Sequence, residues 1–128
     1  MGQEVSRLAQ GEFNPHRQGI SSADPSTPIT NSKEGVNGKD NEILIADVAL
    51  KSGTLTSAQL EVLTYSEDGG QFVPQVPAAQ YNLTGPGQFV FASLYGRRFF
   101  IKVNTLVGAN PLIDINVSVF RRNAVEFV

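Results

Sequence analysis

The strongest constraint in this sequence is a strict two-residue alternation near its C-terminal end. In residues 98–104, Phe99, Ile101 and Val103 alternate with Phe100, Lys102 and Asn104. In residues 112–120, Ile113, Ile115, Val117 and Val119 alternate with Asp114, Asn116 and Ser118. Successive side chains of an extended strand point to opposite faces, so this pattern sets one face of each strand in a core and the other toward water. The intervening Gly108-Ala109-Asn110-Pro111 reads as a hairpin loop joining the two strands.

Upstream, further short strands are divided by turn signals. Residues 42–50 are apolar on both faces, with Leu44, Ala46, Val48 and Leu50 on one and Ile43 and Ile45 on the other, until Ser52-Gly53 breaks the run. Residues 59–65 follow, with Leu60 and Val62 opposite Leu63 and Tyr65. Glu67-Asp68-Gly69-Gly70 is a hairpin turn into Gln71-Phe72-Val73, and Pro74 and Pro77 demote the next stretch to an edge strand or loop. Gly85-Pro86-Gly87 is another turn, before a strand at 88–94; a short one at 124–128 would close the chain. Strands at intervals of about 8–12 residues with no strong helical segment between them predict an all-β fold, an antiparallel β-sandwich of about six to eight strands.

The composition changes near Asn41. Residues 1–40 are rich in Ser, Asn, Gly and Pro, and their apolar side chains follow no sustained period. Asn14-Pro15, Asp24-Pro25, Thr27-Pro28 and Asn37-Gly38 punctuate turns and extended segments. The expectation is an extended N-terminal arm over 1–40, ordered only where something holds it and with at most a helical turn at 4–10, ahead of a β-sandwich domain over 41–128. A domain of this size buries only about 60–65% of its unfolded surface. The outward apolar residues Ile43, Ile45, Phe100 and Phe120 are therefore expected to be covered by a second sheet, the arm or another subunit.

Catalytic chemistry has little to work with here. There is no cysteine and one histidine, His16, which lies in the arm beside Arg17 without a second ligand or a cavity. Asp47, Glu61 and Asp114 are the carboxylates that could pair across strands; Asp47 interrupts an apolar strand and is expected to pair with a strand neighbour such as a lysine or arginine. No nucleophile elbow, phosphate loop or dinucleotide fingerprint occurs. The expectation is a non-enzymatic protein with no cofactor and no metal. Formal charge is −2 and spread along the chain, which argues against nucleic acid, and no apolar run approaches the ~20 residues of a membrane span. Met1-Gly2 through Ser6 matches an N-myristoylation pattern, but an ordinary start is the preferred reading. The pairs Arg97-Arg98 and Arg121-Arg122 flank the two alternating strands, and contact with an acidic protein surface is the functional role they suggest.

Ser66-Glu67-Asp68-Gly69-Gly70-Gln71-Phe72, Arg98-Phe99-Phe100-Ile101-Lys102-Val103 and Ile113-Asp114-Ile115 resemble the strand-turn-strand and closing-strand motifs of small β-sandwich modules, with one extra phenylalanine. Such modules recur among virion accessory proteins of tailed bacteriophages, including capsid decoration (cement) proteins, and among carbohydrate-binding folds. The resemblance spans residues 42–122. It implies a virion structural protein, assembled in the host cytoplasm, that binds the outside of a capsid lattice. The major capsid protein or another virion protein would be its partner, and a homo-oligomer, a trimer above others, its assembled state. Leu8, Phe13, Ile20 and Ile29 would be apolar anchors of the arm, His16 and Arg17 its polar contacts, with Ile43, Ile45, Arg97, Phe100 and Arg121 adding contacts from the body. The alternative is a carbohydrate- or receptor-binding module of a phage tail or fibre, with Tyr65, Tyr81 and Tyr95 as stacking candidates.

Overall fold

A computed structural model describes residues 5–6, 17–37, 43–92 and 98–120. The elements in chain order are β1 (Val5–Ser6), β2 (Arg17–Ile20), a 3-10 turn (Ser32–Glu34), β3 (Val36–Asn37), β4 (Ile43–Ser66), β5 (Gln71–Pro74), β6 (Gln80–Leu83), β7 (Gly87–Phe91) and β8 (Arg98–Phe120). All strand pairings are antiparallel, and the fold is all-β as the alternation predicts.

Two strands dominate. β4 has 24 residues and β8 has 23, and they pair from Ile43↔Phe120 to Thr64↔Phe99. Strands in globular proteins are usually about 3–10 residues long, because a longer one outruns the domain. This ribbon doubles over instead. Its register shifts four times, between Leu50/Ser52, Ser52/Thr54, Leu55/Ser57 and Gln59/Leu60. Each shift puts unequal numbers of residues opposite one another and bends the pair. The two halves then face each other. Leu44, Ala46 and Val48 from one end of β4 join Leu60 and Val62 from the other in a single core cluster, together with Phe99, Ile101, Val103, Ile113, Ile115, Val117 and Val119 of β8.

The result is a sandwich made from one continuous ladder. Its first layer runs β5 and β6, the second half of β4, the first half of β8, and β3; its second runs β7, the first half of β4, the second half of β8, and β2 with β1. The inward sets of β8 are those that the sequence alternation assigns inward.

Two expected breaks are corrected. Ser52-Gly53 does not end a strand, and Gly108-Ala109-Asn110-Pro111 is not a hairpin loop; both lie inside continuous strands at the bend. Gly53 (φ 77) and Asn110 (φ 50) turn the backbone while the ladder persists, so residues that signal a loop serve a bulge. The helical turn expected at 4–10 is likewise not found where described: Val5 and Ser6 pair with Phe120 and Val119 as a strand. The strand expected at 124–128 lies outside the described residues.

Residues 17–37, part of the expected arm, lie against the sandwich as a strap. β2 pairs with Ile113 and Ile115, and β3 with Phe99 and Arg98. Between them the chain crosses the outer face of the first layer, where the Phe72 N–H donates to the Ile29 carbonyl at 2.9 Å. The strap shelters Leu63 and Phe72, both buried although on the face opposite the main core.

At the bend the two strands cross so closely that a Cβ on Gly53 would overlap the Asn110 carbonyl, and one on Gly108 the Thr54 carbonyl. Gly53→Ala is therefore expected to lower the unfolding free energy by about 2–4 kcal/mol, combining a left-handed backbone with the overlap. Gly70→Ala, at φ +65 in open space, should cost only about 1 kcal/mol. Parallel urea titrations check this; equal losses would contradict the close crossing.

Candidate binding surface

The two outer faces of the sandwich differ. That of the first layer lies partly under the strap. On the second layer, Ile43, Ile45 and Asp47 alternate outward along β4, opposite the inward Leu44, Ala46 and Val48. Cross-strand partners share a face, so Ile45 stands between Val90 of β7 and Ser118 of β8, and Ile43 beside Phe120. Ile43, Ile45 and Phe120 are half-buried and Val90 is 51% exposed. These four side chains make an apolar row edged by Asp47, Gln88 and Asn116. Gln88 Nε2 donates to Asp47 Oδ1 at 2.6 Å, so Asp47 does pair with a strand neighbour, which is an amide where a lysine or arginine was the example expected. The register that sets Gln88 directly opposite explains this.

Arg17 and Phe100 are brought together, but on the other side of the molecule. The Arg17 guanidinium donates to both carboxylate oxygens of Asp24, at 2.6 and 3.0 Å, and to the Ile101 carbonyl at 3.0 Å, with its Cζ 4.9 Å from the centre of the Phe100 ring. Phe100 also lies 5.9 Å from Phe72, which meets Tyr65 edge-on at 5.1 Å. Asp24 in turn replaces a strand neighbour for Val103: its N–H donates to the Val103 carbonyl and its Oδ2 accepts the Val103 N–H, both at 2.8 Å. This clasp ties β2, on the second layer, to the first-layer edge of β8. Ile20 is buried in the protein's own core, and Ile29 is half-buried against the first layer. Leu8, Phe13, His16, Arg97 and Arg121 lie outside the described residues.

The carboxylates do not converge. Glu61 is buried and accepts from Asn104 Nδ2 at 3.0 Å, while Asp114, also buried, accepts the Gly19 N–H at 2.8 Å with Lys51 3.7 Å away. Among the described residues no group of three or more His, Cys, Asp or Glu could hold a metal ion, and no helix is long and apolar enough to cross a membrane. Of the aromatic candidates for sugar stacking, Tyr65 meets Phe72, and Tyr81 stacks on Phe89 with centroids 4.2 Å apart. Tyr95 lies outside the described residues. Val90 could not be chosen from sequence alone, because its place beside Ile45 depends on the pairing register.

No protein-family model matches the sequence, and no curated protein matches it. Among solved structures, the crystal structure of the SPBc2 prophage-derived protein YomS is similar in fold: TM-score 0.53 and 10% sequence identity, over 93% of this chain and 93% of that one. The two chains share a fold along nearly their whole lengths.

Two predictions concern how the layers are held. Asp24→Ala removes a bidentate ion pair and a backbone cap together, and should cost about 2–3 kcal/mol in urea denaturation while accelerating hydrogen exchange at the Val103 amide. An unchanged Val103 amide would exclude the clasp. On the opposite side, burial raises the Tyr81 phenol above its ordinary 10.0, and its O–H donates to the Val90 carbonyl at 3.2 Å. The unfolded chain thus releases this proton at lower pH than the folded one. The stability that neutral Tyr81 contributes is complete below pH 10 and is lost as pH rises through the folded value. The stability gap between wild type and Tyr81→Phe should therefore narrow above that pH, read from urea midpoints; a widening gap would have the wrong sign.

Proposed function

We propose that this chain is a non-enzymatic structural protein of a bacteriophage particle, binding the outside of a capsid lattice as a decoration protein. The observation that carries the reading is the fold shared with a prophage-derived protein across 93% of both chains. The apolar row Ile43, Ile45, Val90 and Phe120 supports it. It offers a side-chain contact on one face, while the N-terminal segment is engaged with the protein's own edges between residues 17 and 37. The major capsid protein or another virion protein is the proposed partner. A symmetric cluster, a trimer above others, is the proposed state on the lattice, where many weak contacts add by avidity. Leu8, Phe13, His16, Arg97 and Arg121 belong to this contact on the sequence reading alone.

Copy number in purified particles is the direct test. The chain should be present in a fixed integer ratio to the major capsid protein and accessible to protease on the outer surface. Val90→Asp should leave the unfolding midpoint nearly unchanged and reduce occupancy at least about tenfold, since a charge would then face an apolar contact. Absence from every particle, or undiminished occupancy of Val90→Asp, would count against the reading.

A further inference from the structure

The strap does not lie flat on the first layer. Between its residues 26–29 and the sheet is a cleft of about 210 Å³, with Ile29, Leu63, Phe72 and Pro74 as apolar walls and Glu61 and Lys102 in its lining. Sites that hold whole cofactors or drug-sized ligands run to about 300–1,000 Å³. This one has room for a single side chain and its neighbouring backbone.

The charge in the cleft is unevenly used. Lys102 stands directly across from Glu61 in the strand register, where a lysine ordinarily pairs with the carboxylate. Yet the ion pairs among the described residues are Arg17–Asp24 and Lys51–Asp114, and the Lys102 ammonium makes neither an ion pair nor a hydrogen bond with any described residue. Glu61 is turned to amides: its Oε1 accepts from Asn104 Nδ2 at 3.0 Å and from Gln80 Nε2 at 3.4 Å. The cleft therefore combines four apolar walls with an ammonium group whose three donors have no acceptor among the described residues.

We propose that this cleft receives an acidic peptide segment of a partner protein, an apolar side chain entering between Ile29, Leu63, Phe72 and Pro74 while an adjacent carboxylate meets the Lys102 ammonium. Glu61 is already held by two amides while the Lys102 ammonium has no described acceptor, which favours an acidic occupant, and the volume limits it to one anchor residue. The inference rests on the chain being a docking protein and names one chemistry of its partner.

Two small probes test the cleft on the isolated protein: N-acetyl-leucine, which carries the carboxylate, and N-acetyl-leucinamide, which does not. Titration followed by amide NMR should show saturable shifts at Leu63, Gln71 and Phe72, with a dissociation constant of about 1 mM for the acid. The amide should bind at least about fivefold more weakly. Lys102→Met should abolish the difference between the probes with the Ile115 amide unmoved, which reports an intact core. Glu61→Gln should tighten the acid about twofold or more by removing a like charge. No saturable shift, equal binding of the two probes, or indifference to Lys102→Met overturns the proposal. The probes are read without any particle. Binding of the acid by a chain absent from all particles would defeat the decoration reading and leave the cleft standing; the reverse outcome would defeat the cleft alone.

Discussion

The structure depends on the doubling of one ribbon. A straight 24-residue strand would extend about 80 Å at ~3.3 Å per residue. A compact chain of 128 residues has a radius of gyration of only about 14 Å. β4 and β8 keep their pairing and bend together, which turns one face of the ribbon upon itself. Because the two layers are opposite ends of the same two strands, a change at the bend acts on both at once. The closeness of Gly53 to the Asn110 carbonyl, and of Gly108 to the Thr54 carbonyl, leaves no space for a Cβ at either glycine.

Doubling also creates a problem at the sides. A folded two-stranded ribbon has two open sides, each with unpaired N–H and C=O groups and a view into the core. On the β4 side, β5, β6 and β7 pair with its outer edge, and Tyr81 links the layers by stacking on Phe89 and donating to the Val90 carbonyl. On the β8 side the strap does the same work with different chemistry. Arg17 reaches from the second layer to the Ile101 carbonyl of the first, and Asp24 satisfies both backbone groups of Val103. One side is closed by an aromatic ring, the other by an ion pair, and in each a side chain finishes hydrogen bonding that no strand completes.

Much of the sandwich was legible because the alternation in Phe99–Ile101–Val103 and Ile113–Ile115–Val117–Val119 is a local property of extended chain. The turn at Glu67-Asp68-Gly69-Gly70 was equally local, with Gly70 at positive φ and its N–H bonded to the Ser66 carbonyl. What was hidden depends on contacts distant in sequence. Nothing around Gly53 says that the strand resumes in the same ladder, since that is decided by β8 some fifty residues away. Nor could the strap be told from a free arm, because it is held mainly by backbone groups and by Arg17 and Asp24, and a Ser-, Asn- and Pro-rich segment has the same composition whether its main chain is bonded or solvated. The outward residues Ile43 and Ile45 were visible as an anomaly, while their neighbour Val90 emerged only with the register.

These closures limit how the protein can meet another. β8 is paired with β4 on one side and, on the other, meets the strap at Arg98, Phe99, Val103, Ile113 and Ile115 and β1 at Val119 and Phe120, while β4 is flanked by β5, β6 and β7 over both its halves. Docking by strand addition to either long strand would first have to displace chain already bonded there. Side-chain contact with an exposed face has no such cost, and the faces are unequal. The first is half-covered by the strap and has a charged cleft beneath it, whereas the second has an apolar row with a polar margin. Two chemically different faces would fix the orientation of the module on any partner it meets by side-chain contact, which is the geometry that the proposed decorating role calls for.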